Sequence, residues 1–131
     1  VRDLDSRVGE REAAAVDQWI QSGADYHMMR DNVEHGIVMM AGMWGSKGNL
    51  LPDFYRLVEE HGKNMGEAFH VEPQVDQAFL RSYVVPTIQS ALVHDESTYI
   101  GGSPYPVSRE EGQIPNFIGE YFVYDGIDYE L

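Results

Sequence analysis

Five short clusters in this 131-residue chain combine residue types able to do chemistry at a useful spacing. Asp3-Leu4-Asp5 is a D-x-D: two carboxylates one residue apart can converge on one hard divalent cation where a strand ends and turns, and that cation can hold a diphosphate. The other reading is two exposed acids ahead of a helix N-terminus. His94-Asp95 follows a short strand candidate, and a neutral imidazole suits a third ligand position on Mn²⁺ or a similar ion. Its alternative is a loop histidine capped by its neighbour. Asp76-Gln77, near the start of a helix, offers a carboxylate and an amide to sugar hydroxyls, or is an acid favoured by the dipole of a first turn. Arg30-Asp31 after a strand is a functional pair or a surface ion pair worth under ~1 kcal/mol. Gly42-Met43-Trp44-Gly45 reads evenly as a close-approach loop with an aromatic platform for a sugar ring and as a core tryptophan between turn glycines.

The elements that must position these clusters follow from periodicity. Glu10 to Gln21 reads as a helix with Ala13, Val16, Trp19 and Ile20 on one face, Gly9 or Ser6 as N-cap and Gly23 as the stop. Tyr26 to Met29 is a short strand ending at Arg30-Asp31. Ile37 to Met43 is a continuous apolar run of strand length, expected as a strand covered on both faces. Gly42, Gly45 and Gly48 break the next stretch into a loop. Pro52 suits a first helical turn, and Phe54, Leu57 and Val58 mark a helix ending near Gly62. Lys63 to Pro73 reads as a loop. Gln74 to Val84 is helical, with Val75, Phe79 and Tyr83 four apart, until Val85-Pro86 bends or ends it. Ala91 to Val93 is a strand leading into His94-Asp95, Gly101 to Pro115 a long surface loop, and Phe117 to Tyr124 a closing strand. The alternation predicts a single domain of α/β or α+β class, a short mixed sheet with about three helices.

Composition bounds the function. There are 22 acidic against 9 basic residues, a formal charge of −13, and no cysteine. The absence of cysteine excludes a disulfide scaffold, a thiolate zinc site and a cysteine nucleophile. The acidic balance argues against nucleic acid as partner, because phosphate backbones need clustered Lys and Arg. With 43% apolar residues the chain can bury a core. Its longest apolar run, Gly36 to Trp44, falls short of the ~20 residues of a membrane span. No basic-then-apolar signal opens the chain, and a cytoplasmic setting fits. From Asp95 onward eight acids face one base, Arg109, which reads as a solvated region or an acidic docking surface. Val1 is not a start Met and stands before a charged cluster, so the chain is expected to begin inside a longer unit.

The motifs also occur in a recognisable order: R-D-L-D-S-R, R-E-A-A-A-V-D-Q-W-I-Q-S-G, H-M-M-R-D, A-G-M-W-G, V-D-Q-A-F-L and L-V-H-D. In this the chain resembles the bacterial and viral GT-A-type sugar transferases with an R-D-x-D-S-R signature, loosely grouped as capsular-polysaccharide glycosyltransferase-like, over roughly Arg2 to Phe122. The resemblance implies that Asp3 and Asp5 hold a Mn²⁺ or Mg²⁺ that neutralises a nucleotide diphosphate, with His94 completing the metal site. It implies that Asp76 and Gln77 lie beside the transferred sugar, and that Arg30, Asp31, Gly42, Trp44 and Gly45 shape the donor and acceptor pockets. In such enzymes the D-x-D follows a nucleotide-binding β/α half of about 100 residues; here two residues precede Asp3, so the chain resembles only the C-terminal half.

Two functions from different classes follow. The first is a metal-dependent, glycosyltransferase-like domain that binds or transfers a sugar from a nucleotide-sugar. The second is a non-catalytic module derived from that fold, serving assembly. Truncating a doubly wound sheet bares a strand edge, so a homo-oligomer is expected in either case.

Overall fold

The computed structural model describes residues 1–3, 6–98, 100–110 and 117–120. Helix α1 (Glu10–Ser22) leads into strand β1 (Tyr26–Arg30), and strand β2 (Trp44–Ser46) comes after a long irregular stretch. Three helices come next: α2 (Phe54–Met65), α3 (Ala68–Val71) and α4 (Val75–Phe79). The last runs on through a π-helical turn, Leu80–Val84, and a 3₁₀ turn, Val85–Thr87, before strand β3 (Ala91–Asp95). The sheet order is β2-β1-β3, with β1 antiparallel to β2 and parallel to β3. The expected mixed α/β architecture is therefore the one observed. Among the described residues no helix is long and apolar enough to cross a membrane.

All five residues of β1 are buried, and the period-2 alternation of a strand explains how. Tyr26 and Met28 enter one core with Met39, Phe79, Leu80 and Val84. Met29 enters a second core with Ala15 of α1, Met43, Tyr105 and Ile118. β1 is the central strand with helices over both faces, the role the sequence assigns to Ile37–Met43. That apolar run is not a strand: Ile37 and Val38 are exposed, and only Met39, Gly42 and Met43 are buried. Its backbone is held by side chains instead of a ladder. Arg30 donates to the Val38 carbonyl, the Gln77 amide donates to the Met39 carbonyl, and the Ala41 N–H donates to Gln77 Oε1. Gly42, at φ 75°, then turns the chain out of extended geometry.

Four further expectations change. The buried face of α1 is Arg11, Glu12 and Ala15, while Ala13 is exposed and Ile20 is 66% exposed. The helix turns a charged edge to the sheet because Arg11 and Glu12 find partners there. α2 passes through Gly62 and stops at Gly66, whose N–H donates to the Gly62 carbonyl, and α3 occupies part of the expected loop. Gln74–Val84 begins as α-helix and widens to a π turn ahead of Pro86, which has no N–H to continue the ladder. Residues 117–120 form a turn rather than the start of a strand, with the Glu120 N–H donating to the Phe117 carbonyl. The rest of that expected strand lies outside the described residues.

Candidate functional site

The parallel register of β1 and β3 decides what stands at their carboxyl ends. It sets Met29 beside His94 and Arg30 beside Asp95. On the other side of β1 the Met29 N–H donates to the Met43 carbonyl, and Met43 bridges to Arg2. Arg2, Met43, Met29 and His94 thus form one row across the sheet, and Asp3, Gly42, Arg30 and Asp95 form the next. Several clusters separate in sequence meet at one end of one sheet.

Most of these residues turn inward. Arg30 Nε donates to Asp95 Oδ2 at 2.7 Å, and its other nitrogens reach the carbonyls of Val38 and Gly101. Asp95 also accepts from the Ser97 and Thr98 N–H groups and the Thr98 hydroxyl. Burial pushes the Asp95 carboxyl up, but the hydrogen bonds from Thr98 and Arg30 outweigh it, and the carboxyl sits below its ordinary value. Asp31 is fully buried and accepts from Arg11, Arg109 and the Ile118 N–H, tying the end of β1 to α1 and to the two described loop segments after β3. Neither pair is a surface ion pair: each is desolvated and over-satisfied, so it acts as framework.

His94 is equally committed. Its Nε2–H donates to Gln18 Oε1 at 2.7 Å, and its Nδ1 accepts from His27 Nε2–H at 2.8 Å. Trp19 stacks on His27, Tyr105 stacks on His94, and the Arg11 guanidinium lies 4.0 Å over the Tyr105 ring. Burial, then the neighbouring His94, hold His27 down to about 4, and burial with Arg11 nearby lowers His94. Both rings are therefore neutral at pH 7.

The expected metal set is not assembled. A Mg²⁺ holds each ligand atom at about 2.1 Å, whereas Asp3 and His94 stand three strand positions apart, roughly 14 Å at about 4.8 Å per strand. Both His94 nitrogens already have protein partners, and Asp5 lies outside the described residues. Among the described residues no three His, Asp or Glu side chains lie close enough to share a cation.

Asp76 and Gln77 point apart. Gln77 bridges the Met39–Ala41 backbone, whereas Asp76 is exposed at the edge of a separate cavity. Trp44 packs half-buried against the β1 core. Gly45 is required by Trp19, whose ring carbons lie 2.9 Å from where a Cβ would stand. Gly42 is favoured by its φ of 75°, and a Cβ there would also lie 2.5 Å from Asp3 Oδ2, so the exposed Asp3 carboxylate would have to move. Asp3 is an exposed acid at this end of the sheet, seated against bare backbone.

Two residues beside it escape sequence reasoning. Arg2 donates to the Gly42 carbonyl at 3.0 Å and pairs with Glu12 at 2.5 Å, yet its Nη2 and Glu12 Oε2 are buried without a hydrogen-bond partner. Burial raises the Glu12 carboxyl against the pull of Arg2. The signal available was position alone: Arg2 adjoins the D-x-D, and Glu12 lies in the first turn of α1. A cavity of about 380 Å³ opens near the start of α1, with Glu10, Glu12 and Glu110 beside Arg11 among its lining; that charge balance opposes an anion. Comparison with protein-family models, curated proteins and solved structures finds no match for this chain.

Proposed function

We propose that the chain is a GT-A-type, sugar-transferase-like domain that binds a nucleotide-sugar at the carboxyl end of β1 and β3. One observation carries the reading: Arg2-Asp3, Arg30-Asp31, Gly42 and His94-Asp95, which stand far apart in sequence, come together at the carboxyl end of a parallel strand pair. That is where open α/β sheets bind ligands. The donor-facing group in this reading is Asp3, and the half-buried Arg2 beside it, whose Nη2 is buried without a hydrogen-bond partner, adds a positive charge suited to a diphosphate. Arg30, Asp31, Gln77 and His94 hold the frame. Mn²⁺ or Mg²⁺ is given no step, because His94 is committed elsewhere.

The test is thermal unfolding with a panel of nucleotide-sugars and nucleoside diphosphates, alone and with Mn²⁺. A donor at 100 times its dissociation constant adds about 2.7 kcal/mol of stability. The expected result is a shift with one nucleotide class that Arg2→Ala abolishes. No shift with any donor, with or without Mn²⁺, overturns the reading.

A second reading has an observation of its own. The outer edge of β3 is bridged only at His94, by Ser103, among the described residues, and β2 has three residues. Such edges favour self-association. In this reading the chain is a non-catalytic module that assembles as a homo-oligomer, and light scattering at micromolar concentration decides it: a monomer removes it.

A further inference from the structure

On the α2–α4 side of the molecule, a cavity of about 500 Å³ is walled by Phe54 and His61 of α2, Phe69 of α3 and Phe79 of α4. The rings meet edge to face: Phe54 and His61 lie 5.4 and 5.7 Å from Phe79, and His61 lies 6.3 Å from Phe69. His61 is held in place by its Nε2–H, which donates to the Val75 carbonyl at 3.2 Å. Phe69 packs against α2 at Gly62, where even a Cβ would make ordinary contact with the ring at 3.6 Å. Two exposed carboxylates, Glu72 and Asp76, border the cavity, and its lining contains no Lys or Arg. Between them Gln74 takes a left-handed φ of 65°, a conformation an L side chain adopts at a cost.

We propose that this cavity binds a small organic cation, with an ammonium or guanidinium at Glu72 and Asp76 and an apolar body among the rings. Aromatic faces attract a cation while also removing apolar surface from water, and the two carboxylates supply countercharge. An anion meets those carboxylates and a chain of net charge −13. The volume matches a single small molecule. Its lining shares no residue with the sheet-end site of Arg2, Asp3, Arg30, Gly42 and His94, so it does not depend on the nucleotide-sugar reading.

Isothermal titration of the full chain at pH 7 with 4-phenylbutylamine, 4-phenylbutanol and 4-phenylbutyrate tests the proposal, because the three share one body and differ in charge. The amine is expected to bind with 1:1 stoichiometry, about tenfold more tightly than the alcohol, and the butyrate not at all. In the double variant Glu72→Gln, Asp76→Asn the amine falls to the affinity of the alcohol. Both side chains are exposed, so an unchanged unfolding midpoint separates lost binding from lost fold. Phe69→Ala weakens amine and alcohol alike. Equal affinity for amine and alcohol, amine binding undiminished in the double variant, or no binding by any of the three overturns it.

Discussion

Acidification from pH 7 to pH 5 is expected to destabilise this protein through His27. The ring is 1% exposed, stacked on Trp19, and donates its one proton to His94. Its value in the fold is about 4, against 6.5 for a free imidazole. A depressed histidine gives stability that is complete above the unfolded value and is lost as pH falls from 6.5 towards 4, because only the unfolded chain takes up the proton in that window. The slope is about 1.4 kcal/mol per pH unit, so roughly 1–2 kcal/mol is gone by pH 5 once partial screening is allowed for. His94 and His35, both lowered mainly by burial, act with the same sign. His27→Gln keeps a donor for His94 Nδ1 and removes the titration. Urea unfolding followed by circular dichroism at pH 7, 6 and 5 should therefore show wild type losing about 1–2 kcal/mol more than the variant. A wild-type-to-variant difference that stays constant with pH, or an NMR titration placing His27 near 6.5, would refute the reasoning.

Three more outcomes rest on the same framework. Asp31→Asn leaves Arg11 and Arg109 without their shared carboxylate in a buried site, and urea unfolding should record a loss of about 3–5 kcal/mol. Gly42→Ala meets both a φ of 75° and the Asp3 carboxylate, whereas Gly23→Ala meets a φ of 73° and open space. The first should cost about 0.5–1.5 kcal/mol more than the second, the order of one displaced side chain, with part of that excess recovered when Asp3→Ala is added; equal costs for the two alanines would show that the Asp3 contact does not matter. Gln77→Glu removes the donor to the Met39 carbonyl and should cost about 1–3 kcal/mol in urea unfolding; unchanged stability would remove the structural role given to that amide.

Local signals were legible where one element satisfies itself. The helix at Glu10, its stop at Gly23 with φ 73°, and the strands at Tyr26 and Ala91 follow from periodicity and glycine chemistry and stand within a residue or two of expectation. Periodicity failed where polar side chains took over a structural role. Ile37–Met43 has the composition of a buried strand, but Arg30 and Gln77 claim its backbone groups. α1 has an apolar face at Ala13 and Ile20, yet it buries Arg11 and Glu12, whose partners Asp31 and Arg2 lie on other segments.

The candidate site divides on the same line. Residue types, order and spacing picked out Arg30, Asp31, His94 and Gln77 as unusual positions, and the acidic, cysteine-free composition bounded the chemistry before any fold was known. Which way those side chains turn was a tertiary decision. Arg30 and Asp95 are 65 residues apart, His27 and His94 are 67, and Asp31 and Arg109 are 78. Each pair exists only because parallel pairing of β1 with β3, or closure of the later loops over them, brings its members into one desolvated space. A buried charge without its partner is costly, so the fold spends these residues on one another and leaves Asp3, against the bare backbone of Gly42, facing solvent.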